Sequence, residues 1–278
     1  MTGPPGRLGD PGGRVSVYRE FAVSNAVDGV VVCTWEGLGG WDRTLRLLPD
    51  GCVDLVWDGR RLLVAGACTT PCRYPLAGEA RNTGLRLRPG AAGAVLGWPL
   101  WPLPPVLTLD SLWGAAATRA ETELAHAAGP GSRRRLLEQL VVRRLDSGHR
   151  PDRLVLEAAR QLEQPAIGVE GVASIVGLST RELRRRFHEH VGYGPKGLQR
   201  VLRFRRLLTR LGDLACGRVT VAAVAAELGY ADQAHLAREC GRLAGSSPRS
   251  LVRCWDAYGR AGRNVQDSGA ACAADSRP

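Results

Sequence analysis

Lysine is almost missing from this sequence: Lys196 stands alone beside 37 arginines, in a chain of 278 residues with a net charge of +11. An arginine-preferring codon usage accounts for the ratio but not for where the arginines gather. A surplus of bidentate donors points to phosphate or nucleic acid. Uninterrupted apolar runs are missing too. The longest apolar stretch, 91–107, contains Pro99, Pro102, Pro104 and Pro105, which excludes a membrane-spanning helix. Residues 1–14 are Gly/Pro-rich without an apolar signal core, so a cytoplasmic location is expected. The eight cysteines are then expected as reduced thiols. None forms a C-x-x-C pair. Cys68 and Cys72 flank Thr69-Thr70-Pro71 with no second close pair nearby, a weak metal signal. Buried or incidental thiols are the expectation, with redox or metal sensing at Cys52, Cys68 or Cys72 as the alternative. Asp50 and Asp54 lack an accompanying His, Ser or ligand set at recognisable spacing. Hydrolase chemistry therefore has no footing, and neither catalytic residues nor a cofactor are expected.

What is present is ordinary globular material. Hydrophobic residues at 44% and charged residues at 23% supply a core, and the length predicts two domains. The fold class expected is α+β. After a flexible leader, 1–14, residues 15–110 read as a small antiparallel β domain. Val30-Val31-Val32 is β-branched, Thr44 to Leu48 alternates, and Val53 to Trp57 leads through Asp58-Gly59, a type I′ turn signal, to a return strand Leu62 to Ala65. Leu85 to Arg88 alternates again before Pro89-Gly90. Six of the seven tryptophans, Trp35, Trp41, Trp57, Trp98, Trp101 and Trp113, lie in this half and are expected in its core, an apolar ligand pocket being the alternative.

Residues 111–150 read as a helical linker. Leu112, Trp113, Ala116, Ala120 and Leu124 keep a helical period in a first helix. A second, capped by Ser132, carries Leu136, Leu137, Leu140, Val141 and Leu145. Their Leu/Val face predicts a homodimer contact; the competing reading is a second layer over the β domain. Residues 151–256 read as wholly helical, and 257–278 as a disordered tail.

Charge singles out one stretch. Arg181 to Arg210 holds nine arginines and Lys196 against Glu182 and Glu189, a net +8. Solvated helix faces usually alternate sign, so an anionic polymer is the better explanation. Two segments 52 residues apart share a pattern: Val169 to Ser179 followed by Thr180 to Phe187, and Val221 to Ala231 followed by Asp232 to Arg238. Each has an apolar helix with a central Ala173 or Ala225, then Gly177 or Gly229, then a cap, Ser179 or Asp232, opening a second helix. These are helix-turn-helix units. In the first reading helix Leu183 and Phe187 face inward, while Arg181, Arg184, Arg185 and His188 share another face. Arginine there suits guanine in a major groove. The connector from Pro195, with Leu198, Leu202, Leu208 and Leu211 as core candidates, reads as roughly eighteen helical residues, about 27 Å. That length sets two reading helices near one DNA turn apart, about 34 Å.

The residues Leu183 to Phe187, Gly192 to Lys196, Arg203 to Arg206, Val224 to Tyr230 and Ser247-Pro248-Arg249 resemble the DNA-binding domain of the AraC/XylS family of transcription regulators. The resemblance covers 151–256. It implies base contacts at Arg181, Arg184 and Arg185, then at Ala234, His235 and Arg238 with Gln233 nearby. Lys196, Arg200, Arg203 and Arg206 complete the expected DNA-binding set, the last three facing phosphates. Leu236 and Cys240 stand where the family usually has Phe, and Gly241 where it has a basic residue. The first unit, richer in arginine, is therefore expected to dominate base reading. Leu48 to Trp57, Val64 to Gly66, Gly84 to Gly90 and Leu109 to Gly114 resemble an uncharacterised domain found ahead of such modules. The implied protein is a non-enzymatic, sequence-specific activator or repressor regulated through its N-terminal domain. Double-stranded DNA is its partner, with RNA polymerase and a small-molecule effector as further candidates. The alternative is a DNA- or ligand-modifying enzyme carrying the same module.

Overall fold

The alternating and β-branched segments of the first half pair into two antiparallel sheets. In the computed structural model, which describes residues 6–9, 15–39, 42–76, 80–258 and 266–267, the strands are β1 (Gly6–Gly9), β2 (Val15–Phe21), β3 (Val31–Leu38), β4 (Arg43–Leu47), β5 (Val53–Trp57), β6 (Leu62–Gly66), β7 (Cys72–Leu76) and β8 (Arg81–Leu87). After the short helix α1 (Ala92–Leu96) comes β9 (Val106–Thr108), and near the C-terminus β10 (Gln266–Asp267). One sheet has the order β1-β2-β3-β8-β5-β6-β9, the other β10-β4-β7. Parts of the segments read as leader and tail are thus strands: β1 pairs with β2 and β10 with β4. The rest of those segments lies outside the described residues.

The β5–β6 hairpin differs from the expected turn. Trp57 pairs with Leu62, leaving a four-residue loop, and Gly59 (φ 96°) but not Asp58 has positive φ. The Asp58 carboxylate takes the N–H groups of Arg60 and Arg61, each at 2.8 Å, so side-chain capping replaces the two-residue turn.

Strand period sorts the large sheet into two faces. Val53, Leu55, Trp57, Leu62, Val64, Leu85 and Leu87 are buried on one. Against it pack α3 (Ala115–Ala125) and α4 (Pro130–Asp146), which follow the single turn α2 (Asp110–Trp113). Ala117, Ala120, Leu124, Leu137, Leu140 and Val141 are buried in the same core, so the helices are a second layer of the β domain. The face offered as a dimer contact has its partner within the chain. Ala117 takes the inward place expected of Ala116, and α4 begins at Pro130 with Gly129 as its cap rather than at Ser132. Arg134 ties the layer down, 2.7 Å from Glu36 and 3.6 Å over the Phe21 ring.

The other face carries a buried ion cluster. Arg86 donates to both Asp54 carboxylate oxygens at 2.9 Å and lies 3.3 Å from Glu20. Asp50 is 3.8 Å from Arg86 and accepts the Cys52 N–H at 2.8 Å. Leu85 to Arg88 alternates because Arg86 is held among carboxylates, not because it faces water. Burial raises the Asp54 carboxyl despite Arg86 beside it. Of the tryptophans, Trp57 is core, Trp35 and Trp113 are half-buried, and Trp98 and Trp101 are exposed at 48% and 61%. Trp41 lies outside the described residues.

The C-terminal region is helical throughout: α5 (Arg153–Gln161), α6 (Val169–Ile175), α7 (Thr180–His190), α8 (Pro195–Thr209), α9 (Leu211–Ala215), α10 (Val221–Glu227), α11 (Gln233–Ala244) and α12 (Pro248–Tyr258). No helix of the described residues is long and apolar enough to cross a membrane. The two halves share packing. Leu48 is buried in the helical core, and Leu156 of α5 packs on the core of the β half.

Candidate nucleic-acid interface

Two turns with the same hydrogen bonds build the site. At the end of α6, Gly177 (φ 69°) donates to Ser174 and Leu178 donates to Ala173. At the end of α10, Gly229 (φ 71°) donates to Ala226 and Tyr230 to Ala225. Both are Schellman endings, in which a left-handed glycine returns two N–H groups to the last helical turn. The caps then open the reading helices. Ser179 accepts the Glu182 N–H at 3.1 Å, and Asp232 accepts the His235 N–H at 2.5 Å. Ala173 and Ala225 are buried beneath the turns, where a larger side chain would push the helices apart. The second turn is one residue longer, since Ala231 precedes its cap.

In α7, Leu183 and Phe187 are fully buried and hold the opposite face outward. Arg181 and Arg184 are exposed and make no ion pair among the described residues. Arg185 is exposed but paired, 2.8 Å from Glu182 and 3.4 Å from Glu189. Hydrogen bonds from Arg185 and Arg186 hold the Glu182 carboxyl down at about 2. Arg186, outside the expected set, reaches Asp152 at 2.7 Å and ties α7 to the cap of α5. His188 is half-buried, its ring edge-on to Trp101 with centroids 6.2 Å apart. Next to it the Leu100 N–H donates to the Glu189 carbonyl at 2.8 Å. The β half thus covers the C-terminal turn of α7 and leaves the N-terminal turns open. Sequence reading missed this contact: Leu100 and Glu189 are 89 positions apart and nothing local marks the pair.

The second unit presents Gln233, Ala234 and Arg238 exposed on α11. His235 is half-buried against Tyr230, and its Nδ1 accepts the Ala231 N–H at 3.3 Å. Leu236 and Cys240 are fully buried in the places of the expected Phe.

The connector is shorter than expected. Helix α8 has 15 residues, about 22 Å, and α9 continues after a break at Arg210. Leu198, Leu202, Leu208 and Leu211 are buried as expected. Its arginines have partners within the chain. Arg200 forms a two-armed pair with Glu239 of α11, at 2.7 and 2.8 Å. Burial pushes the Glu239 carboxyl up, but Arg200 more than offsets this and holds it below its usual range. Arg203 lies 5.2 Å over the Tyr230 ring. Arg206 donates to the Glu163 carbonyl at 2.7 Å. Lys196 is exposed and donates to Gln199 at 2.8 Å. Arg200 and Arg203 therefore fasten the connector to the second unit. Nothing local in the sequence marks the Arg200 pair, because Glu239 lies 39 residues on.

Among the described residues no group of three or more His, Cys, Asp or Glu is placed to hold a metal ion. Cys33, Cys52 and Cys240 are buried, and burial raises each thiol, to about 12 at Cys33 and Cys240.

Residues 172–253 match the model of a helix-turn-helix domain, and residues 19–103 that of a domain of unknown function (DUF6597). No curated protein matches the chain. Among solved structures, ToxT from Vibrio cholerae aligns at 9% identity over 91% of this chain and 96% of its own, with a TM-score of 0.39. An unsaturated fatty acid-bound ToxT from the same organism aligns at 10% identity over 79% and 93%, also with a TM-score of 0.39. The domain matches and the paired turns carry the assignment: the chain has a C-terminal helix-turn-helix domain of the AraC type behind an N-terminal DUF6597 domain, the make-up of a DNA-binding transcription regulator.

Proposed function

We propose that the protein reads two successive major grooves of one operator, α7 in one and α11 in the next, under control of its N-terminal domain. The duplicated turn is the observation that carries this reading. Two Schellman endings with equivalent hydrogen bonds present two capped helices from one chain. Reading helices contact base edges with their N-terminal residues, and in α7 those turns are the open ones. Arg181 and Arg184 are the base readers of the first unit. Arg185 joins them by exchanging Glu182 for a base or phosphate, and His188 and Lys196 flank the backbone. In the second unit Gln233, Ala234, His235 and Arg238 offer one arginine, so its half-site tolerates more base changes. Control by the N-terminal domain is supported by the Leu100 and Trp101 contacts on the far end of α7.

The test is quantitative binding to an operator selected from randomised DNA. Arg184→Ala is expected to cost about 1–3 kcal/mol and relax preference at one or two G/C positions, with non-specific binding nearly intact. An unchanged motif in Arg184→Ala together with a motif erased by Arg238→Ala would reverse the ranking of the two units.

A further inference from the structure

We propose that Trp101, in the connection from α1 to β9, is a DNA contact supplied by the N-terminal domain. Its indole lies against the sugar–phosphate wall of the groove that α7 enters and donates its Nε1–H to a phosphate there. The inference deepens the two-groove reading and rests on its placement of α7 alone. At about 100° per residue, Arg181, Arg184, Arg185 and His188 fall within one arc of about 100° on α7, with His188 between Arg184 and Arg181. Trp101 stands edge-on to His188, with ring centroids 6.2 Å apart. The indole therefore borders the DNA-reading arc and not the side of α7 packed on the protein. Along the helix axis His188 lies about 6 Å past Arg184. The major groove is about 12 Å wide, so with Arg184 over base edges the space beside His188 is the groove wall, where the phosphates run.

The side chain suits that position and is held in place for it. Trp101 is 61% exposed, and its N–H has no acceptor among the described residues. The Trp98 and Trp113 N–H groups, by contrast, donate to the Leu112 and Leu96 carbonyls at 3.2 and 2.7 Å. The backbone beneath the indole is fixed. Leu100 is buried, its N–H on the Glu189 carbonyl at 2.8 Å and its own carbonyl accepting from Leu103 at 2.9 Å. Pro99 and Pro102 restrict φ on either side. A rigid aromatic offers contact area at little cost in conformational entropy. Its apolar face fits a deoxyribose, and its N–H, a donor only, fits a phosphate oxygen. A shift of the N-terminal domain on α7 would carry this contact off the DNA, which links the position of that domain to affinity.

The full-length protein tests this with Trp101→Ala and Trp101→Phe. The second keeps a ring beside His188, so its effect is read free of any change in the fold. On an operator selected from randomised DNA, Trp101→Ala is expected to bind about fivefold more weakly, as for a lost neutral hydrogen bond, and Trp101→Phe to fall in between. The slope of log K against log salt should keep its wild-type value, since no cation is removed. Phosphate ethylation should reveal one position, beside the half-site that Arg181→Ala degrades, where the modification weakens the wild type and has no effect on either variant. Unchanged affinity with that interference retained overturns the contact. Tighter binding by Trp101→Ala also overturns it, as the sign of a loop that holds α7 back. So does interference lost beside both half-sites, the sign of a domain that has moved. Emission gives an answer without an operator: any duplex should quench the wild type more than Trp101→Phe, and equal quenching overturns the contact. Selected DNA with a single half-site overturns the two-groove reading alone, and interference beside that half-site still decides Trp101.

Discussion

Replacing Arg200 by Ala separates a structural tie from a DNA contact. Arg200 bonds both oxygens of Glu239, whose side chain is 9% exposed. Truncating the arginine strands a buried carboxylate, and breaking such a pair typically costs 3–5 kcal/mol. Two features lower that figure. The Arg200 side chain is 29% exposed, and Arg242 remains 3.6 Å from Glu239. A loss of about 2–3 kcal/mol is therefore expected in urea unfolding of the C-terminal region, with partial screening by solvent taken into account. Arg200→Ala with Glu239→Gln should recover much of it, because the stranded charge is gone. For operator DNA, the slope of log K against log salt should stay at its wild-type value, whereas loss of one phosphate contact flattens it by about one unit. A variant with wild-type stability and a flattened slope would refute the tie and return Arg200 to the phosphates.

The remaining predictions concern the turn and the acid limb. Gly177→Ala and Gly229→Ala each meet nothing within 4 Å, so their cost is the left-handed backbone alone, about 1–2 kcal/mol by denaturant unfolding; a loss several times larger would point to a steric role instead. The Glu182 carboxyl, held at about 2 by Arg185 and Arg186, contributes stability above its unfolded value near 4.5 and loses it as pH falls from there toward 2. Glu182→Gln should therefore flatten the wild-type fall in urea midpoint over that window, and an unchanged fall would locate the acid sensitivity elsewhere.

Sequence reading found what is local. The β5 and β6 segments, the paired Gly and Ala positions 52 residues apart, and the inward Leu183 and Phe187 follow from spacing and turn chemistry. It failed where a distant partner decides. Leu85 to Arg88 shows only its alternation in the sequence, because the carboxylates that hold Arg86, Asp54 and Glu20, come from other strands. Trp98 and Trp101 read as core because large aromatics usually are, yet both stand at the surface, Trp98 donating to the Leu112 carbonyl and Trp101 edge-on to His188 of α7. The helices α3 and α4 read as an unpartnered face, because the sheet that covers them is assembled from seven strands scattered along the first half of the chain. Arg200 reads as one more cation in a basic stretch until α11 brings Glu239 against it.

The central claim is that one chain reads two grooves. Binding selection on randomised DNA with the wild-type protein tests it most directly. The expected product is two half-sites with centres about 10–10.5 base pairs apart, one helical turn, the first richer in G/C and more sharply defined. Arg181→Ala should degrade the first half-site alone and Arg238→Ala the second alone. A single half-site, or two whose spacing drifts freely between selected sequences, would contradict it.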